Sequence, residues 1–197
     1  MAINDTREKL ILAAYDVVSR VGLEGFSMQQ VTISAGVSKR LVYKYFGTKE
    51  NFLFECYVHV DRQIAAAFDS IVEKVTSDNP RASETMAQVW FPYFKFMVGL
   101  GNQALFYYAY RDSAHIYEVI ENDAASAADY FKGFFDYIAQ ADVAGTSFEN
   151  MDEDVLWTYI IDCTGMFAKR VIRGEIPFED EYVQQIWQLI STGLLQA

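Results

Sequence analysis

A short segment near the N-terminus concentrates side chains that are suited to binding DNA. Lysine, arginine and tyrosine alternate there with apolar residues over the length of one short helix. Arginine can donate two hydrogen bonds to a guanine edge, lysine and threonine bind phosphate oxygens, and a tyrosine ring can contact a thymine methyl group. We therefore predict DNA contacts from this segment and its neighbours, namely Gln29, Ser38, Lys39, Arg40, Tyr43, Lys44, Tyr45, Thr48 and Lys49.

Three predicted helices position these residues. Apolar residues recur at three- and four-residue spacing over 6–21, 28–35 and 39–46, which is typical of amphipathic helices. Gly36 allows a tight turn before the third helix, and Ser38 is a natural N-cap for that helix. A helix, a short glycine turn and a short basic helix form the helix-turn-helix pattern, whose second helix enters the major groove.

Polar residues at the helix ends support the same prediction. Ser27 and Gln30 have the spacing of a capping box, which would begin the second helix. Thr48 is an expected N-cap for a long helix over 49–76. Lys49 stands at the positive end of that helix, where free N–H groups and an ammonium favour a DNA phosphate.

The order and spacing of these motifs resemble a known family. The run Ala35-Gly36-Val37-Ser38-Lys39, then Tyr43-Lys44-Tyr45-Phe46, then Thr48-Lys49-Glu50 with Leu53, resembles the N-terminal signature of TetR-family regulators. Thr32, Ile33 and Arg40 depart from the residues that are usual in that signature. The resemblance implies a helix-turn-helix domain at residues 1–50, followed by a helical ligand-binding and dimerisation domain at 51–197.

Composition and charge agree with a two-part, all-α protein. Little of the sequence alternates with period two, and the 197 residues include only three prolines, so we expect helices rather than strands. Residues 1–50 hold seven basic and five acidic side chains, a net charge of +2. Because the whole chain has a net charge of −11, residues 51–197 have a net charge of −13. Phosphate would be repelled by the acidic part, so DNA contact should be confined to the N-terminal part. With neither a secretory signal nor an apolar membrane span in the sequence, we expect a soluble, cytoplasmic protein without a membrane partner.

Aromatic residues are unusually dense in the second part of the chain. An apolar, aromatic-lined cavity with a few polar groups is the usual form of a small-molecule site, and Pro92 should kink or split its helix and open such a gap. Aromatic faces with carboxylates would suit a planar cation, although an acyl chain, a neutral aromatic ligand or simple core packing is compatible with the same residues. The candidate ligand-binding residues are Trp90, Tyr93, Phe94, Phe106, Tyr107, Tyr110, His115, Phe131, Phe134 and Asp162.

Two apolar helices at the end of the chain, over 152–173 and 178–195, form the predicted dimer surface. In the resembling family the last two helices of each subunit pack into a four-helix bundle, and a two-fold dimer would present two DNA-binding domains to a palindromic operator. The alternative is that these helices only close the core of one chain. The candidate interface residues are Tyr159, Cys163, Met166, Phe167, Tyr182, Ile186, Leu189 and Ile190.

The resemblance implies a homodimeric repressor that leaves double-stranded operator DNA when a small-molecule effector binds its second part. An activator of the same fold stays open as an alternative. A helical enzyme is an alternative from another class, in which Cys56 and His59 could face each other on one helix. No nucleophile elbow, phosphate loop or metal-ligand cluster accompanies these two residues, so we expect neither a cofactor nor a metal.

Overall fold

A computed structural model describes residues 3–75, 82–116 and 152–195 of the chain. These residues form eight helices and no strand, which confirms the predicted all-α class for the described ranges. In chain order the helices are α1 (Ile3–Val21), α2 (Met28–Ala35), α3 (Lys39–Phe46), α4 (Lys49–Val72), α5 (Ala82–Gly99), α6 (Asn102–Arg111), α7 (Glu153–Ile172) and α8 (Asp180–Leu195).

Local sequence signals account for the beginning and end of α2. The Ser27 hydroxyl accepts from the N–H of Gln30 at 3.3 Å, and the Gln30 side chain accepts from the N–H of Ser27 at 2.8 Å, so the predicted capping box is present. Gly36 ends the helix with φ of +66°, and its N–H donates to the carbonyls of Thr32 and Ile33. This left-handed conformation strains residues that have a Cβ atom, which explains the glycine.

The described helices pack as two compact units. The first contains α1, α2, α3, α6 and α4 as far as Gln63, whereas the second contains α4 from Ile64 onward, α5, α7 and α8. Helix α4 is therefore continuous from the first unit into the second. The predicted division into a domain at residues 1–50 and a domain at 51–197 stays a prediction.

An aromatic core holds the first unit together. The rings of Phe46 and Phe52 meet edge to face with centroids 4.6 Å apart, and the ring of Phe26 lies 6.2 Å from that of Phe52. Helix α6 packs against α1, where the rings of Tyr15 and Phe106 are 5.2 Å apart. All five rings are buried, and burying such side chains is among the larger stabilising contributions available to a small unit.

The second unit is organised around Trp90 of α5. Its indole N–H donates to the Thr164 hydroxyl of α7 at 2.9 Å, and its ring stacks on Phe94 and lies 5.3 Å from Trp187 of α8. Helix α5 continues through Pro92, so the predicted split of this helix does not occur. Helix α4 ends at Val72, earlier than predicted. None of the helices in the described ranges is long and apolar enough to cross a membrane.

Candidate DNA-binding site

Helix α3 presents one polar face to solvent and one apolar face to the core. Val42 and Phe46 are buried, with exposed fractions of 0% and 3%, whereas the side chains of Lys39, Arg40, Tyr43 and Lys44 are exposed. The buried pair anchors the helix because apolar residues four positions apart lie on the same side. The four exposed residues therefore form a continuous surface of three cations and a phenol.

The predicted DNA contacts next to this surface differ in how exposed they are. Gln29 is exposed on α2, whereas Tyr45 is half-buried and packs edge to face on Phe46. The Lys39 ammonium lies 5.8 Å from the centre of the Tyr43 ring, within the range of a cation–π contact. This contact joins two outward residues that lie one helical turn apart on α3.

Ser38 occupies the N-cap position of α3 but does not cap it with its side chain. Its backbone is extended, and its carbonyl accepts from the N–H of Leu41 at 3.0 Å, yet its hydroxyl makes no capping hydrogen bond. Ser38 is therefore the N-cap residue of α3, as predicted, but it caps the helix without a side-chain hydrogen bond. The Ser38 hydroxyl thus leaves the first N–H groups of α3 uncapped, which is the condition under which a helix N-terminus can donate to a phosphate.

Thr48 and Asn51 connect α3 to α4. The Thr48 hydroxyl accepts from the N–H of Asn51 at 3.0 Å, as expected for an N-cap, and the Asn51 amide donates to the carbonyl of Phe46 at 2.8 Å. Asn51 thus satisfies a carbonyl at the end of α3 while it stands in the first turn of α4. This role was not predicted from the sequence, although an asparagine three residues after an N-cap was the available signal.

Lys49 is directed into the protein rather than toward solvent. Its ammonium donates to the main-chain carbonyl of Phe26 at 3.1 Å and lies 5.5 Å from the centre of the Phe26 ring. The side chain is half-buried. In this conformation Lys49 ties the start of α4 to the segment between α1 and α2, and it is not oriented as a phosphate contact.

The predicted ligand-binding residues separate into two groups. Trp90, Tyr93 and Phe94 are buried on α5 in the second unit, where the rings of Tyr93 and Phe68 also meet edge to face. Phe106, Tyr107 and Tyr110 are buried on α6 in the first unit, and half-buried His115 stacks on Tyr110 at 5.8 Å. Asp162 is exposed on α7, and Phe131 and Phe134 lie outside the described residues.

The α6 group belongs to a buried polar cluster that was not predicted from the sequence. The ring of Tyr57 on α4 stacks on Tyr107 at 5.3 Å and on Tyr110 at 4.8 Å. The hydroxyls of Tyr57 and Tyr107 are hydrogen-bonded, and Tyr107 is also hydrogen-bonded to the buried carboxylate of Asp61. Burial raises the pKa of both phenols, and the negative charge of Asp61 raises it further, while the charge of Arg111 opposes the shift. These residues act in the described structure as packed core between α4 and α6.

Cys56 and His59 do not form the nucleophile–base pair that an enzyme would need. Cys56 is fully buried, and burial raises the pKa of its thiol, which disfavours the reactive thiolate. The Nδ1 atom of His59 lies 2.9 Å from the Tyr15 hydroxyl, which donates to the carbonyl of Cys56 at 3.0 Å. Burial lowers the pKa of His59. This geometry assigns His59 to a polar link between α1 and α4.

The predicted dimer residues divide between the surface and the core of one chain. Exposed fractions are 37% for Tyr159, 44% for Met166, 38% for Tyr182 and 64% for Leu189. Cys163 and Phe167 are half-buried. Ile186 and Ile190 are 4% and 1% exposed, so their apolar area is covered within the chain itself and is not available to a second copy.

The exposed residues of α7 share one face. Tyr159, Asp162 and Met166 follow each other at spacings of three and four residues, and Val155, which is 58% exposed, continues the face one turn earlier. The Tyr159 hydroxyl donates to the carbonyl of Leu189 on α8 at 3.5 Å. Asp162 therefore stands on the outer, mainly apolar face of α7 rather than beside the buried aromatic residues.

Comparison with known proteins finds a family match inside the first unit. Residues 10–56 match the sequence model of the family described as "Bacterial regulatory proteins, tetR family". The HTH-type transcriptional repressor NicS of Pseudomonas putida is 30% identical over 94 residues, which cover 46% of this chain and 42% of that protein. The HTH-type transcriptional regulator BetI of Vibrio vulnificus is 37% identical over 59 residues, 30% of either chain. The match therefore spans less than half the length of these relatives.

Solved structures share the fold of this chain over nearly its whole length. A TetR family transcription regulator from Marinobacter aquaeolei has a TM-score of 0.77 at 15% identity, with 98% of this chain and 97% of that chain covered. The regulator FadR from Bacillus subtilis, in complex with stearoyl-CoA, has a TM-score of 0.68 at 17% identity, with 93% and 96% covered. At these identities the likeness concerns the fold alone.

Proposed function

We propose, from the premise that this chain is a member of the tetR family of bacterial regulators, that it is a cytoplasmic, homodimeric transcriptional repressor. In this proposal the first unit binds a palindromic operator, α7 and α8 pair two chains, and a small molecule bound in the second unit releases the DNA. The single observation that carries the proposal is the solvent-facing surface of α3, formed by Lys39, Arg40, Tyr43 and Lys44 on a rigidly packed helix.

The chemistry of that surface fits the major groove. Arg40 suits guanine through two parallel hydrogen bonds, and the Tyr43 ring suits a thymine methyl group or its hydroxyl a phosphate. Ser38 and Thr48, with Gln29 on α2, would contact the sugar–phosphate backbone and fix the register. Because Val42 and Phe46 hold the opposite face in the core, these contacts would cost little reorganisation on binding.

A two-fold dimer is supported by the exposed apolar surface of α7 and α8. Single exposed apolar residues are common on soluble proteins, but Val155, Tyr159, Met166, Tyr182 and Leu189 are exposed together on two neighbouring helices. Pairing of these helices with their copies would remove this area from water. Leu189→Glu would place a charge in that interface and is expected to shift the chain to monomers in sedimentation velocity, whereas Gln184→Glu, at an exposed polar position of α8, is not.

Helix α4 provides a route for effector control. It begins directly after α3 and continues into the second unit without interruption, so a ligand that favours another tilt of α4 would also move the DNA-binding helix. Such coupling requires that the ligand bind the two conformations with different affinity, and operator DNA must then weaken ligand binding by the same factor. FadR, which shares this fold, was solved in complex with stearoyl-CoA. That complex supports an organic molecule as the effector of this chain.

Fluorescence anisotropy with DNA from upstream of the gene for this protein tests the DNA-binding proposal. We expect tight binding that weakens steeply with salt, because phosphate contacts release counterions. Arg40→Ala should reduce affinity by about 1–3 kcal/mol and relax specificity at one base pair. Lys95→Ala, which removes an exposed lysine of α5 in the second unit, is the matched control and should leave affinity unchanged.

Failure to bind that DNA, followed by failure to select any sequence from random DNA, would refute the proposal. An activator of the same fold is the second candidate, and it would use the same DNA contacts. A reporter gene behind the selected operator distinguishes the two, because deletion of the regulator raises expression for a repressor and lowers it for an activator.

A further inference from the structure

A groove in the second unit lies between the end of α4 and the middle of α5. It has a volume of about 310 Å³, close to the lower limit for small-molecule sites. Within the described part of the chain, the lining residues do not include the aromatic residues predicted to bind a ligand. They are Ile71, Lys74, Val75, Gln88 and Pro92.

Helical spacing explains why these residues share one groove. Ile71, Lys74 and Val75 follow each other at intervals of three and one, and the chain keeps a helical turn beyond Val72 because the N–H groups of Lys74 and Val75 donate to the carbonyls three residues earlier, at 3.1 and 3.0 Å. Gln88 and Pro92 are four residues apart on α5 and therefore lie on one side of it. Two helix surfaces thus form the two walls.

Among the described residues, the walls combine an apolar surface with the positive charge of Lys74. Ile71 and Val75 are half-buried and Pro92 is exposed, so the groove offers aliphatic contacts at its base and rim. Lys74 is the one charged residue among the five, and the amide of Gln88 can donate to the same acceptor. An apolar body with one carboxylate complements this arrangement. A multiply charged anion would be repelled by the −13 charge of residues 51–197, so a monoanion fits better.

Pro92 changes the main-chain hydrogen bonding of α5 beside the groove. Proline has no N–H, so the main-chain carbonyl of Gln88, four residues earlier, lacks the helical donor that any other residue would supply. An O–H or N–H group next to the carboxylate of a ligand could donate to this carbonyl. The groove would thus discriminate between a simple acid and its 2-hydroxy derivative.

We propose that this groove is a binding subsite for a small amphipathic monocarboxylate, with Lys74 as its counter-ion. The proposal deepens and rests on the function proposed above, in which the second unit binds the effector. It names the chemical class of that effector and the residues that recognise it. Because the groove lies between α4 and α5, a ligand there would contact the helix that leads to α3.

Calorimetric titration of the full chain without DNA tests the subsite, with hexanoate, octanoate, octylamine and 2-hydroxyoctanoate as ligands. Octanoate should bind once per chain, and each methylene gained from hexanoate should tighten binding by about fourfold. Octylamine should not bind. Lys74→Gln should weaken octanoate by about fivefold, the upper range for an exposed ion pair, whereas Lys95→Gln, at an exposed lysine of α5 outside the groove, should leave it unchanged.

A second pair of titrations isolates the role of proline. 2-Hydroxyoctanoate should bind the natural chain more tightly than octanoate, and Pro92→Ala should abolish this preference because the new N–H occupies the Gln88 carbonyl. Circular dichroism confirms that each variant is folded. Absence of octanoate binding, or equal binding by the Lys74→Gln variant, overturns the subsite.

DNA binding is measured separately, so the two proposals can fail independently. A chain that binds operator DNA but not octanoate refutes the subsite and leaves the regulator intact. A chain that binds octanoate but no DNA refutes the regulator and leaves the subsite intact. Octanoate that binds without weakening operator binding supports the subsite and overturns its role as an effector site.

Discussion

Replacement of Lys49 by methionine distinguishes a structural role from a phosphate contact. Methionine keeps an unbranched, apolar stem but removes the ammonium that donates to the Phe26 carbonyl at 3.1 Å and lies over the Phe26 ring. A hydrogen bond from a charged donor contributes about 1.5–3 kcal/mol, and a cation–π contact at an exposed site adds about 0.5–1 kcal/mol. Because Lys49 is half-buried and water can replace part of the interaction, we take the lower part of this range.

We therefore expect Lys49→Met to lower the free energy of unfolding by about 2 kcal/mol. Urea unfolding followed by circular dichroism gives this value by linear extrapolation. The salt dependence of operator binding should be unchanged, since no phosphate contact is lost. Affinity at a fixed salt concentration should fall modestly, because the segment between α1 and α2 is held less firmly against α4.

Lys44→Met is the matched control because Lys44 is an exposed lysine on α3. We expect the opposite pattern for Lys44→Met. Its free energy of unfolding should stay within about 0.5 kcal/mol of that of the natural chain, as for other surface changes. The slope of log affinity against log salt concentration should fall by the amount expected for the loss of about one phosphate contact. If Lys49→Met instead reduces that slope and leaves stability unchanged, the ammonium reaches a phosphate on DNA and the inward assignment is wrong.

Three further predictions concern the turn, the second unit and pH. Gly36→Ala should destabilise the chain by about 1–2 kcal/mol, because alanine is strained at the positive φ of this position. A steric clash is not the cause, since nothing lies within 4 Å of the added Cβ atom. Gly99→Ala, where φ is not positive, is the control and should be close to neutral in the same urea assay. Thr164→Val should cost about 1–3 kcal/mol of unfolding free energy because it leaves the buried indole N–H of Trp90 without its acceptor, and adding Trp90→Phe should cost less than the sum of the two single changes. Burial lowers the pKa of His59, so protonation favours the unfolded state and stability should decline as pH falls below the unfolded value of about 6.5; His59→Gln should flatten this decline in unfolding curves recorded across pH 5–8.

The helix-turn-helix elements were predictable from local signals. Helices α2 and α3 begin and end at the predicted residues, because the capping box at Ser27 and the left-handed glycine at Gly36 act within one or two turns of chain. The buried face of α3 was predictable for the same reason, since Val42 and Phe46 recur with the helical period. Nothing distant in the sequence is needed to explain these features.

The candidate ligand-binding residues could not be assigned in this way. Periodicity identifies an apolar face on a helix, but it does not reveal which other helix covers that face. The aromatic residues of α6 pack in the first unit with α1 and α4, whereas those of α5 pack in the second unit with α7 and α8. Residues that are close in sequence therefore belong to different cores. The groove beside Pro92 depends on two helix walls and was likewise invisible.

The sequence by itself determined the helical class, the helix-turn-helix pattern and the polar face of α3, because periodicity, caps and turn residues are properties of short segments. Only the tertiary structure decided where long or apolar side chains point. It turned the Lys49 ammonium to a carbonyl of Phe26 rather than to solvent, and it buried Ile186 and Ile190 while it exposed Tyr182 and Leu189 on the same helix. The physical reason is that burial and long-range hydrogen bonds depend on segments far apart in the chain, which only the packed helices bring together.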